Sequence, residues 1–169
     1  AHRDDITGGE RRRMQRPAPD AHYTEGQYVG YRWFDTKQVP VMYAFGHGLS
    51  YVDFEYSDLQ ANKEKYRAND VIKLTFNLTN NGSMEADEVT QIYVKRLDAT
   101  IEWPVKELKA FQRVSVGAGQ TEQVTIEIPV ESLRYWDVDA DTWMLENGNI
   151  EILVGGSSDD IRLSTQVAI

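Results

Sequence analysis

The sequence predicts an all-β fold, an antiparallel β-sandwich of seven or eight short strands. Three observations carry that prediction: polar and apolar residues alternate along successive segments, turn-forming clusters separate the segments, and no amphipathic helix of three turns lies between them. The clearest segment is 71–79, VIKLTFNLT, where Ile72, Leu74, Phe76 and Leu78 alternate with Lys73, Thr75, Asn77 and Thr79. A period of two puts one set on a buried face and the other in solvent.

The remaining strands follow from the same pattern. They are expected at 52–60, 88–96, 106–116, 121–128, 149–154 and 160–168. Turn chemistry lies between them at Asn80-Asn81-Gly82-Ser83, Trp103-Pro104, Gly117-Ala118-Gly119, Asn147-Gly148 and Gly155-Gly156-Ser157-Ser158. Val124, Ile126, Ile128, Ile150, Ile152 and Val154 are the expected inward residues, and 130–136 (VESLRYW) is expected to form one helical turn joining the sheets. No fixed-period repeat is present, which argues against a propeller or solenoid.

Composition sets wider bounds. The chain has 169 residues, 41 % hydrophobic and 27 % charged, which suits one folded domain with an appendage. No run approaches the roughly eighteen apolar residues of a membrane span. Cysteine is absent, which removes disulfides and thiolate metal sites. The formal charge of −9 argues against nucleic acid as a partner. Residues 1–22 hold five arginines against four acids, a net +1, which leaves −10 for the rest. With Gly8-Gly9, Pro17 and Pro19 and no apolar period, that stretch reads as a linker or poorly ordered tail, and its Arg11-Arg12-Arg13 run as solvated charge. An initial alanine fits a processed product or a piece of something longer.

The chemistry-bearing residues give little. The histidines are His2, His22 and His47, and only His47 lies in a patterned setting, between glycines and aromatics, where it reads as a hydrogen-bonded packing residue rather than a base. Asp137, Asp139 and Asp141 begin like a calcium loop, but Thr142 and Gly148 stand where its turn glycine and distal glutamate would be, so an acidic hairpin tip is the better reading. With 27 acids, carboxylate pairs of the kind that cleave glycosides can be drawn at will and identify nothing. Trp33, Trp103, Trp136 and Trp143 read as core or interface before they read as a sugar-stacking platform. No catalytic, substrate-binding or metal residue is assigned, and no cofactor is expected.

Several motifs in colinear order carry a resemblance. YTEGQYVGYRWFD (23–35), YAFGHGLSY (43–51), NLTNNG (77–82), EVTQIYV (88–94), PVKELKAF (104–111) and VGGSSDDIRL (154–163) together resemble family 3 glycoside hydrolases, from the junction that follows their α/β-sandwich domain through their C-terminal fibronectin type III-like domain. Ala44 stands where that family commonly has proline, and the stretch before Tyr23 does not follow the family's approach to the junction. The resemblance implies an immunoglobulin/fibronectin type III-like sandwich over 52–169, the end of the preceding domain and an interdomain junction over 23–51, and an extended linker over 1–22. It implies a parent of the β-glucosidase or β-xylosidase type, retaining and exo-acting, whose aspartate nucleophile and acid/base carboxylate both lie upstream. Its habit of export implies a periplasmic or secreted location.

The junction is then the candidate site. Tyr31, Trp33, Tyr43, Phe45 and Tyr51 are expected to fill the seam toward the upstream domains, with Gly46 and Gly48 letting the backbone turn against it. Exposed aromatics of this kind drive association. Separated from its neighbour, the chain is expected either to form a homodimer or to have the segment 23–45 fold back or swap onto the sandwich. Three functions fit: a noncatalytic interdomain module, a carbohydrate-binding module, and a free-standing adhesion or scaffold sandwich.

Overall fold

The computed structural model describes residues 25–169; the linker at 1–22 lies outside the described residues. After a short helix α1 (Tyr31–Lys37), the chain forms β1 (Phe54–Ala61), β2 (Val71–Asn80), β3 (Ala86–Arg96), β4 (Glu107–Val116), β5 (Thr121–Pro129), β6 (Tyr135–Asp137), β7 (Thr142–Met144), β8 (Asn149–Gly155) and β9 (Ile161–Ala168). All seven strands expected from alternation are present, each within about two residues of its expected ends. The helical turn expected at 130–136 is a 3-10 turn over Val130–Leu133 that continues into β6.

Two antiparallel sheets face one another, with strand orders β1-β2-β5 and β4-β3-β8-β9; β6 and β7 form a separate ribbon. Alternation dictates the core. Ile72, Leu74, Phe76 and Leu78 from β2 and Val124, Ile126 and Ile128 from β5 meet Ile92 and Val94 from β3 and Ile150, Ile152 and Val154 from β8, all buried. Fully burying one such side chain is worth about 1.5–3 kcal/mol. At β1 the pairing slips between Ser57 and Gln60, where Asp58 takes φ 58°, the extra residue of a bulge.

The β6–β7 ribbon and its tip confirm the acidic hairpin. The Ala140 amide donates to Asp137 Oδ1 at 2.9 Å, closing the turn through the aspartate side chain.

Strand β3 breaks the expected alternation by burying both of its faces, and β4 shows no regular alternation of burial either. From Thr90 to Val94 every residue of β3 is buried. Thr90, Ile92 and Val94 face the sandwich core, whereas Gln91 and Tyr93 project from the opposite face of the sheet, which would be solvated in a free-standing sandwich. The junction covers that face.

A candidate interdomain site on the outer face of β3

The segment preceding the sandwich folds back onto it. Helix α1 is entered through Gly30 (φ 61°) and left through Gln38 in the left-handed region (φ 53°), with Lys37 in its last turn at the negative end of the helix dipole. At seven residues it is too short to persist alone. Its polar groups are met by the loop ahead of β4 and by the first residues of β4. The Tyr31 hydroxyl accepts from the Leu108 amide at 2.7 Å, and Thr36 Oγ1 accepts from the Val105 amide at 2.9 Å. Asp35 pairs with Lys106 at 3.1 Å, and Arg32 lies 3.6 Å from Glu107. Upstream of the helix, Gln27 donates to the Glu102 carbonyl and the Tyr28 hydroxyl to that of Trp103.

Aromatic contact completes the seat. The Tyr31 ring stacks on Phe45 with centroids 4.4 Å apart and meets the buried Tyr93 ring edge-on at 6.1 Å. Burial pushes the Tyr93 phenol well above its ordinary pKa, aided by the neighbouring Tyr31 and Asp35, so it acts as a neutral donor.

Beside this stack lies a polar latch joining three segments. Gln91, only 4 % exposed, donates through Nε2 to the carbonyls of Gly46 (3.1 Å) and Gly156, while its Oε1 accepts from the Tyr93 hydroxyl at 2.6 Å. The Ser158 amide returns a hydrogen bond to the Phe45 carbonyl at 2.9 Å. The junction loop is thus fastened at once to β3 and to the β8–β9 turn. Gly46 permits this: its φ is 80°, and a Cβ there would sit 2.1 Å from Gln91 Oε1.

The loop carrying Glu102 and Trp103 is itself pinned by a buried arginine. The Arg96 guanidinium carbon stands over the Trp103 ring, 4.1 Å from its centre, and the side chain donates to the Leu133 carbonyl. Glu146 gathers the remaining donors, accepting from Trp103 Nε1 at 3.0 Å and from the Thr100 hydroxyl at 2.6 Å, with Arg96 at 4.0 Å. Burial alone would raise the Glu146 carboxyl, but these donors and the Arg96 charge hold it below the usual glutamate value.

The chain as a whole is similar to known proteins in sequence and fold. A family model for the fibronectin type III-like domain matches residues 88–158, which run from β3 into the β8–β9 turn. The thermostable β-glucosidase B of Acetivibrio thermocellus is 38 % identical over 147 residues, covering 87 % of this chain and 20 % of that protein. Among solved structures, β-glucosidase 3B of Thermotoga neapolitana matches with a TM-score of 0.79 at 37 % identity over 86 % of this chain and 20 % of that one. The Bifidobacterium adolescentis GH3 β-glucosidase matches with a TM-score of 0.82 at 34 % identity over 90 % of this chain and 23 % of that one. The chain belongs to the C-terminal, fibronectin type III-like region of family 3 glycoside hydrolases. It spans about a fifth of the length of these relatives.

Within this glycoside hydrolase module the expected junction residues divide into two sets. Tyr31, Phe45 and Gly46 meet on the outer face of β3, as described. Trp33 packs on the same helix against Tyr28 (6.3 Å), with the Lys37 ammonium over both rings. Tyr43 and Tyr51 instead face solvent, 69 % and 99 % exposed, and Met42 and Leu49 of the same stretch are likewise left uncovered by the sandwich. Gly48 has open space where a Cβ would go. His47 packs as expected, its exposed ring stacked on Tyr43 5.3 Å away, but among the described residues its side chain makes no hydrogen bond. Of the tryptophans, Trp103 is held between Arg96 and Tyr135, and Trp136 and Trp143 meet edge to face at 79°, a geometry that offers no common plane for a sugar ring. Gln91, Tyr93, Arg96 and Glu146 were not singled out by sequence. A glutamine on the polar face of an alternating strand has the pattern of a solvated residue, and only the cover over it shows otherwise.

Proposed function

We propose that this chain is a noncatalytic structural module that seats the junction of a multidomain family 3 glycoside hydrolase and fixes its catalytic domains relative to the sandwich. The observation that supports this reading most directly is the Gln91 latch. A buried amide that bonds the backbone on both sides of a seam rigidifies it, because separating the parts would leave those groups unsatisfied. The exposed Met42, Tyr43, Leu49 and Tyr51 then face the preceding domain.

The parent would be a β-glucosidase, in keeping with the names of the relatives, with its reactive carboxylates upstream of this chain and its location periplasmic or secreted. Assays on aryl β-glucosides test the assignment. The 169-residue chain should release no phenol, and the polypeptide encoded by the complete reading frame should hydrolyse them. Hydrolysis by the chain alone, or a reading frame with no upstream hydrolase domain, would refute it.

A further inference from the structure

A groove of about 920 Å3 runs from the latch across the sandwich toward β4, and the junction does not fill it. Its apolar side is formed by Phe45, Leu49, Val52 and Phe111, with Leu49 93 % and Phe111 68 % exposed. Its charged side holds Asp53, Glu88, Asp160 and Arg162. Asp160 is held by Arg162, with Nη2 2.9 Å from Oδ2. Asp87, which also lines the groove, accepts from Arg113 and Ser115.

Glu88 differs from these two acids. It accepts from the Tyr56 hydroxyl at 2.8 Å, and among the described residues no cation pairs with it or with Asp53. Its Oε1 and Asp160 Oδ2 converge over Gly156, lying 3.0 and 3.3 Å from where a Cβ would stand there. With Asp87 matched by Arg113, the other four charged groups sum to −2 beside exposed apolar surface. Arg162 acts on Glu88 only through space, being bonded to Asp160, so a purely apolar partner closing over this groove would strip water from a carboxylate with no ion pair of its own among the described residues. A partner that brings a cation on an aliphatic stem offsets that loss and covers the apolar wall as well.

We propose that the groove receives an arginine- or lysine-bearing segment of a preceding catalytic domain of the same polypeptide, its stem against Phe111 and Leu49 and its cation on Glu88. This rests on the interdomain reading above. Two observations favour that occupant over a second copy of the chain. The apolar wall begins at Phe45, so it continues the surface of the junction loop through which the upstream chain arrives. The chain also carries a formal charge of −9, so two copies would bring like charges together.

Scanning calorimetry of the polypeptide encoded by the complete reading frame tests the proposal. The unaltered protein should unfold in one coupled transition whose coupling weakens at high salt. Glu88→Lys should separate the sandwich transition from that of the catalytic domains. Glu88→Gln, which keeps the shape of the side chain, should weaken the coupling less and remove its salt dependence. In the 169-residue chain the Gln variant, whose Oε1 can still accept from Tyr56, should shift melting by no more than about 2 °C, which separates docking from folding. If Phe111→Asp uncouples the domains while Glu88→Lys does not, the cation is overturned and the interdomain reading stands. Two independent transitions in the unaltered protein would remove that reading itself. A concentration-dependent dimer dissociated by Glu88→Lys would place a second copy in the groove and overturn the proposal. Uncoupling by serine at Arg11, Arg12 and Arg13 with Glu88→Gln silent would place the tail there instead, with the same consequence.

Discussion

Replacing Gly46 by alanine tests the latch at its tightest point. Its φ of 80° lies in the left-handed half of the map, where a Cβ costs about 1–2 kcal/mol. The added methyl would stand 2.1 Å from Gln91 Oε1 and 2.6 Å from Nε2, so the amide must leave its position. Flexible side chains often yield cheaply to such contacts, but Gln91 is 4 % exposed and makes three hydrogen bonds that would be lost with the move. At about 0.5–1.5 kcal/mol each these contribute roughly 1.5–4.5 kcal/mol, and detachment of the junction loop limits the loss to the docking energy. A destabilisation of about 3 kcal/mol is expected, or a melting shift of about 6–12 °C in a chain of this size. Urea and thermal unfolding of the 169-residue chain read it directly. A double-mutant cycle gives the sharper result: once Gly46→Ala has displaced the amide, Gln91→Ala should add less than it costs alone, with a coupling above about 1 kcal/mol. A Gly46→Ala variant within about 0.5 kcal/mol of the unaltered chain, or strict additivity with Gln91→Ala, would refute the reasoning.

Further expectations concern the rest of the seam and the core. Because donors hold the folded Glu146 carboxyl below its ordinary value of 4.5, its contribution to stability is complete above that value and is lost as pH falls through the lower folded value. The stability difference between the unaltered chain and Glu146→Gln, measured by urea unfolding across pH, should therefore be largest near neutrality and shrink in acid; a constant difference would contradict the assignment. Phe45→Ala removes the Tyr31 stack and should lower stability by about 1–2 kcal/mol in this chain, and it should lower both the melting temperature and the activity of the complete enzyme. Leu78→Ala, fully buried between the sheets, should cost about 2–5 kcal/mol by chemical denaturation. Glucose and cellobiose should leave the tryptophan fluorescence of the chain unchanged, since Trp136 and Trp143 meet at 79°, and saturable quenching would restore the carbohydrate-binding reading.

The sandwich was legible because its information is local. A period of two in 71–79 or 121–128 places each side chain on one face whatever the rest of the chain does, and turn residues mark where the faces end. Glycine at 46 was legible for a similar reason, since its freedom of φ is a property of one residue. The two strands of the β6–β7 ribbon were not, because three residues each are too few to show a period.

The sequence by itself thus determined the seven sandwich strands, the inward set and the turn-permitting glycine at 46. Only the tertiary structure decided which face of β3 the junction covers. The same alternation that sends Ile92 and Val94 inward sends Gln91 and Tyr93 outward, and whether outward means water or a seam depends on chain more than forty residues away folding back over them. Burial of those two side chains is a long-range event, and so are the Arg96–Trp103–Glu146 cluster and the groove beside Glu88. Each is assembled from segments brought together by sheet pairing, and no local pattern in any one segment encodes it.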